Sequence, residues 1–144
     1  MQLTRYTDYS LRVLMYLAVH KEELVTIEEI ARAYGISKAH LMKIVHQLGL
    51  AGYVETVRGR GGGLRLAQPP ERIRIGEVVR HTEAMPLVEC FDPKTSHCRI
   101  EPVCDLRGAL KNALEAFLRT LDGYTLADLV VRPRKSLARL FAAT

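Results

Sequence analysis

The sequence predicts a mainly α-helical fold with one small β-hairpin wing: a winged helix-turn-helix followed by a long amphipathic helix. Three observations carry this expectation. Two short apolar-periodic stretches meet across a turn at Gly35, "RGRGGG" separates two short alternating segments, and "DLRGALKNALEAFLRTLD" keeps apolar residues at three and four residue steps. With 144 residues, 48% of them hydrophobic and 26% charged, the chain can close one ordinary core and carry an additional arm.

From the N-terminus, Thr7 is the expected cap of a first helix, with Asp8 in its first turn and Leu11, Leu14, Met15 and Ala18 on one buried face. Thr26 and Glu29 form a capping-box pattern that opens a short helix ending near Gly35. Ser37 caps a third helix, whose apolar stripe is Leu41, Ile44, Val45 and Leu48, and Gly49 and Gly52 weaken and end it. "YVETV" and "LRLA" read as the strands of a hairpin, and the glycines between them allow positive backbone angles. Pro69 and Pro70 mark a connection, a short helix follows from Ile75 to His81, and the stretch through Pro86, Pro93 and Pro102 reads as an ordered loop. The long helix starts at Asp105, carries Leu106, Leu110, Ala113, Leu114, Phe117, Leu118 and Leu121 on one side, and ends near Gly123. "TLADLV" adds a last helical turn, and the basic tail with Arg132, Arg134, Lys135 and Arg139 is expected to fray. The expected organisation is a winged helix-turn-helix domain over 1–82, with the helix-turn-helix at 26–51 and the wing at 53–67. A cysteine loop over 83–104, the long helix and following turn over 105–131, and a basic tail over 132–144 complete it.

The formal net charge is +5, and its distribution is more telling than its size. Between Ile36 and Leu66 lie Lys38, Lys43, Arg58, Arg60 and Arg65 against Glu55 alone, a local net charge of +4. If the stripe of the third helix faces the core, Ala39, Lys43, His46 and Gln47 face outward. Ser37, Lys38 and His40 then occupy the leading end that meets base edges and phosphates in helix-turn-helix proteins. In the wing, Gly61, Gly62 and Gly63 permit close backbone approach while Arg58 and Arg60 supply charge for phosphates or a narrow minor groove. A nucleotide-binding P-loop is excluded, because no Gly-Lys-Ser/Thr ending is present and the glycines do not open a helix. The plain alternative is a Gly-rich turn with solvated arginines.

The N-terminus lacks the basic segment and apolar run of a signal peptide, and no apolar stretch approaches the ~18 residues of a membrane span. The expected address is therefore the cytoplasm, with no membrane partner. Under reducing conditions, clustered cysteines point to metal binding or redox chemistry rather than a disulfide. All three cysteines, Cys90, Cys98 and Cys104, fall in "ECFDPKTSHCRIEPVCDL". Their intervening gaps of seven and five residues lack the close pairs of a zinc site. Lys94, Arg99, Arg107 and the start of the long helix favour thiolates, and thiolates bind iron-sulfur clusters. A pure thiol switch and three inert buried cysteines are the competing readings. A fourth ligand is needed, and nearby carboxylates and His97 all qualify on local grounds. An enzyme, such as a thiol or iron-sulfur oxidoreductase, finds no CxxC pair, nucleotide fingerprint or catalytic constellation here.

The segments "MQLTRYTDYSLRVLMYLA", "YGISKAHLMKIVHQLGLAGYVETVRGRGGGLRLA", "IRIGEVVRHTE" and "LDGYTLADLV" together resemble the Rrf2 family of transcription regulators, and within it the nitric-oxide-sensing repressors. The resemblance spans nearly the whole chain. It implies a homodimer whose long helices serve as dimerisation helices, binding double-stranded DNA at a palindromic operator. It further implies an iron-sulfur cluster, [4Fe-4S] ahead of [2Fe-2S], held by Cys90, Cys98 and Cys104, with repression relieved by nitric oxide. In some cluster-binding members a histidine lies three positions after the third cysteine; here that position is Arg107. In the nitric-oxide sensors the fourth ligand is an aspartate within the motif matching "TDY", which assigns Asp8 of the partner subunit. The first cysteine gap is longer than is usual in the family. A regulator of the same type that senses iron-sulfur status or redox state is the neighbouring alternative.

Overall fold

A computed structural model describes residues 2–143. Helix α1, Arg5–Val19, is capped by Thr4, whose hydroxyl accepts from the Thr7 backbone N–H at 3.3 Å. Thr7, the expected cap, lies one turn inside the helix and is fully buried, because its hydroxyl donates to Glu83 across the fold. Helix α2, Ile27–Tyr34, opens with the Thr26–Glu29 capping box and closes on Gly35 in the left-handed region at φ 63°. Helix α3, Lys38–Leu50, begins at Ser37, whose hydroxyl accepts from the His40 N–H, and buries Leu41, Ile44, Val45 and Leu48.

Strands β1, Val54–Val57, and β2, Gly63–Leu66, pair antiparallel, with Val54 opposite Leu66 and Val57 opposite Gly63. Gly59 and Gly61 take φ 105° and 75° at the tip. The hairpin is tied to the helix-turn-helix by Val25 and Leu64, which exchange backbone hydrogen bonds of 3.0 and 2.7 Å. Helix α4, Ile75–Thr82, leads into the cysteine loop, whose only regular pieces among the described residues are 3-10 turns at Glu89–Phe91 and Glu101–Val103. Helix α5, Asp105–Asp122, and helix α6, Leu126–Val131, follow, the latter opened by a second capping box from Thr125 and Asp128.

The core lies between α1, α3, α4 and α6, around Val13, Leu14, Leu41, Val78 and Leu126, all wholly shielded from solvent. Helix α5 joins this body at its C-terminal end. Arg80 grips the Asp122 carboxylate through both oxygens at 2.6 and 2.7 Å, and Arg74 donates to the Asp122 carbonyl at 3.0 Å. The expected fraying tail is instead helix α7, Arg134–Ala142, because Phe141 docks into aromatic neighbours. Its ring centroid lies 4.7 Å from Tyr16 and 5.3 Å from Tyr34. No described helix is long and apolar enough to cross a membrane.

Candidate functional site

The core-facing stripe of α3 turns the expected reading residues outward: Ser37, Lys38, Ala39, Lys43, His46 and Gln47 are all exposed, and His40 is half-buried. Two of these side chains are held by groups that sequence spacing does not reveal. The Lys38 ammonium pairs with Glu28 of α2 at 2.7 Å, and that hydrogen bond holds the Glu28 carboxyl below its ordinary range. The His40 ring meets Tyr9 of α1 edge-on, with centroids 5.2 Å apart. Ten residues of chain and a turn separate Glu28 from Lys38, so only the closed helix-turn-helix brings them together.

On the wing, Arg58, Arg60 and Gly61 are exposed. Gly62 and Gly63 have a more local reason to be glycine. A Cβ at Gly62 would run into the Val57 carbonyl, and one at Gly63 would stand 2.9 Å from the Val25 carbonyl oxygen. Arg65 is drawn across the hairpin onto Glu55 at 2.8 Å. Among the described residues, no ion pair holds Lys43, Arg58 or Arg60, so these cations remain available to an anionic partner.

Cys90 is buried, Cys98 and Cys104 are half-buried, and all three are free thiols. The long first gap is folded back on itself. Asp92 accepts the Lys94 N–H on its carboxylate and the Ser96 N–H on its carbonyl, each at 3.0 Å. The Ser96 hydroxyl donates to Glu101 at 2.9 Å, and Glu101 also lies 3.6 Å from Arg107. Arg107 is thus paired with the loop's own carboxylate. Cys104 directly precedes α5, whose first turn has no side-chain cap. It opens on a cleft of about 690 Å³ walled by Met85, Phe91, Leu114 and Leu118 and edged by Arg107 and Lys111.

Asp8 stands apart from this loop on α1, where both its oxygens engage Arg12 at 3.0 and 2.9 Å. Among the described residues no three His, Cys, Asp or Glu side chains are gathered into a metal-holding group within the chain. His97 is exposed. The Asp8–Arg12 spacing of four is that of a helical ion pair, the one signal in the sequence for this contact.

Residues 3–132 match the Rrf2 family, described as an iron-dependent transcriptional regulator. The HTH-type transcriptional regulator NsrR of Bacillus subtilis (strain 168) is 58% identical over 132 residues, 90% of each chain. NsrR of Geobacillus kaustophilus (strain HTA426) is 57% identical over 142 residues, 97% of this chain and 96% of its own. Among solved structures, T. potens IscR shares the fold with a TM-score of 0.76 at 24% identity, covering 94% of this chain and 90% of that one. CymR, the global cysteine regulator of B. subtilis, follows at 0.65 and 26%, covering 91% and 97%. The two NsrR relatives are named as transcriptional regulators, not as enzymes. The chain belongs to the Rrf2 family of transcription regulators.

Proposed function

We propose that the chain is an iron-sulfur-dependent repressor that binds a palindromic operator as a homodimer and releases it in response to nitric oxide. The carrying observation is the placement of three unpaired cysteines on the one loop that joins the DNA-binding body to α5. The donor set fits the group in its chemistry: three free thiols, one of them opening on a cleft with apolar walls, while Arg107 and Lys111 at its edge are paired with Glu101 and Glu115. Cys90, Cys98 and Cys104 would hold the cluster, [4Fe-4S] ahead of [2Fe-2S], with Asp8 of the partner subunit as fourth ligand. When bound, such a cluster supplies iron whose carboxylate-held site is open to a small diatomic ligand.

The chain's own residues do the rest. Ser37, Lys38, Ala39, His40, Lys43, His46 and Gln47 present the leading end and outer face of α3 to the major groove. Arg58 and Arg60 reach phosphates around a tip kept slim by Gly61, Gly62 and Gly63. Support for the dimer comes from α5, which has no buried residue in the single chain and leaves Leu106 63% exposed. Both Asp8 oxygens are engaged by Arg12, so ligation through either one would displace one of these two contacts.

Anaerobic purification followed by iron and sulfide assay, then operator binding before and after nitric oxide, tests the reading. Iron and sulfide should co-purify, and binding should weaken with nitric oxide; iron-free protein binding its operator equally well overturns it. Asp8→Ala should alter the cluster's visible absorption, and an unaltered spectrum removes Asp8 from the ligand set. Because the family is described as iron-dependent, oxygen and peroxide belong beside nitric oxide in the same assay. A response to those alone would assign redox or iron-sulfur status as the signal.

A further inference from the structure

Helix α1 carries a group that the DNA-reading surface uses and that no spacing rule pointed to. Tyr9 projects from α1 against the leading turn of α3, where its ring meets the His40 imidazole edge-on at 5.2 Å and 66°. The Arg12 guanidinium stands 5.6 Å from the Tyr9 centroid and 5.9 Å from that of Tyr34. Arg12 is itself fixed by two contacts to Asp8. His40 is half-buried while Ser37, Lys38, Ala39, Lys43, His46 and Gln47 are all exposed, so it has a neighbour restricting its ring where most reading side chains stand free. A side chain that must meet one base edge gains discrimination when its rotamer is restricted before DNA arrives, since less freedom is lost on binding.

We infer that Tyr9 is a positioning residue for DNA reading: seated against Arg12, it fixes the His40 imidazole at the leading turn of α3 and so contributes to base discrimination without touching DNA. The inference rests on the proposed DNA-reading role of α3 and is drawn for the chain with Arg12 held on Asp8.

The test uses the full-length protein as isolated and a duplex selected by the wild-type protein from randomised DNA, with a scrambled duplex of equal length at the same salt. Tyr9→Phe keeps the ring edge and should bind like wild type. Tyr9→Leu should lower the ratio of selected to scrambled affinity about tenfold, the scale of one lost base contact, while scrambled affinity is unchanged. In a His40→Ala background, Tyr9→Leu should have no further effect. Arg12→Gln, which removes the cation that seats the Tyr9 ring, should move the ratio in the same direction if Tyr9→Leu proves unstable. Equal weakening on both duplexes marks Tyr9 as merely structural and overturns the inference. So does independent addition of the Tyr9 and His40 losses, or an unaltered ratio in His40→Ala. If wild-type protein selects no sequence at all, the DNA-reading role itself fails, a distinct and recognisable result.

Discussion

At Gly76 the space for a side chain is already taken, because a Cβ there would collide with the Asp122 carboxylate that Arg80 holds. Gly76→Ala must push that carboxylate away, and we expect a loss of ~2 kcal/mol, the usual scale of local overpacking. Thermal unfolding of the variant against wild type checks it. Glu83 offers a second test. Burial raises its pKa, but hydrogen bonds from the Thr7 hydroxyl and from the Thr4 N–H and hydroxyl outweigh that and leave it below its ordinary value of 4.5. A carboxylate whose folded pKa is depressed contributes stability above its unfolded pKa and loses it as pH falls through the folded one. Glu83→Gln should therefore lower stability at neutral pH and flatten the decline below about pH 4.5, as read by urea unfolding across pH. Neither residue was legible in the sequence. Thr7 reads as a helix cap on local grounds, yet its hydroxyl serves an acceptor 76 positions away, and only the tertiary fold brings the two together.

Single elements were legible to the degree that their signals are local. The capping box at Thr26 and Glu29, the left-handed Gly35 and the cap at Ser37 each lie within a few residues of what they terminate, and the structure keeps all three. Ser37→Ala should cost about 1 kcal/mol through loss of that cap, measurable by chemical denaturation. The cysteine loop gave no periodicity because its order comes from Asp92, Ser96 and Glu101 pairing among themselves, not from a buried stripe. Helix α7 is not legible for a related reason: its Phe141 docks across the fold on Tyr16 of α1 and Tyr34 of α2. The wing carries its own prediction. With Arg65 committed to Glu55, Arg58 and Arg60 are the hairpin cations left for phosphates. Arg60→Gln should weaken binding to every duplex alike and reduce the salt slope by about 1; a change in sequence preference instead would assign Arg60 to base contact.

Over the whole molecule, the most telling imbalance is that α5 stands 18 residues long with none of them buried. Leu106 and Ala113 are exposed on the half that the single chain does not cover, whereas Phe117, Leu118 and Leu121 pack partly against the core. Leu106→Glu with Ala113→Glu should leave the fold intact by circular dichroism, yield a monomer by light scattering, and cut operator affinity at least tenfold by removing one half-site. A dimer of unaltered affinity would place the subunit contact elsewhere. The joint at the other end of α5 has a mechanical consequence. Arg74, Arg80 and the closely fitted Gly76 fasten Asp122 to α4, so α5 is anchored to the body at its C-terminal end and any tilt is largest at its start. At 1.5 Å per residue α5 is ~27 Å long, so a tilt of about 5° moves its far tip by roughly 2 Å. That tip is Cys104. On the proposed reading, a change in the cysteine loop acts at this tip, the point of α5 with the longest arm about the Asp122 joint.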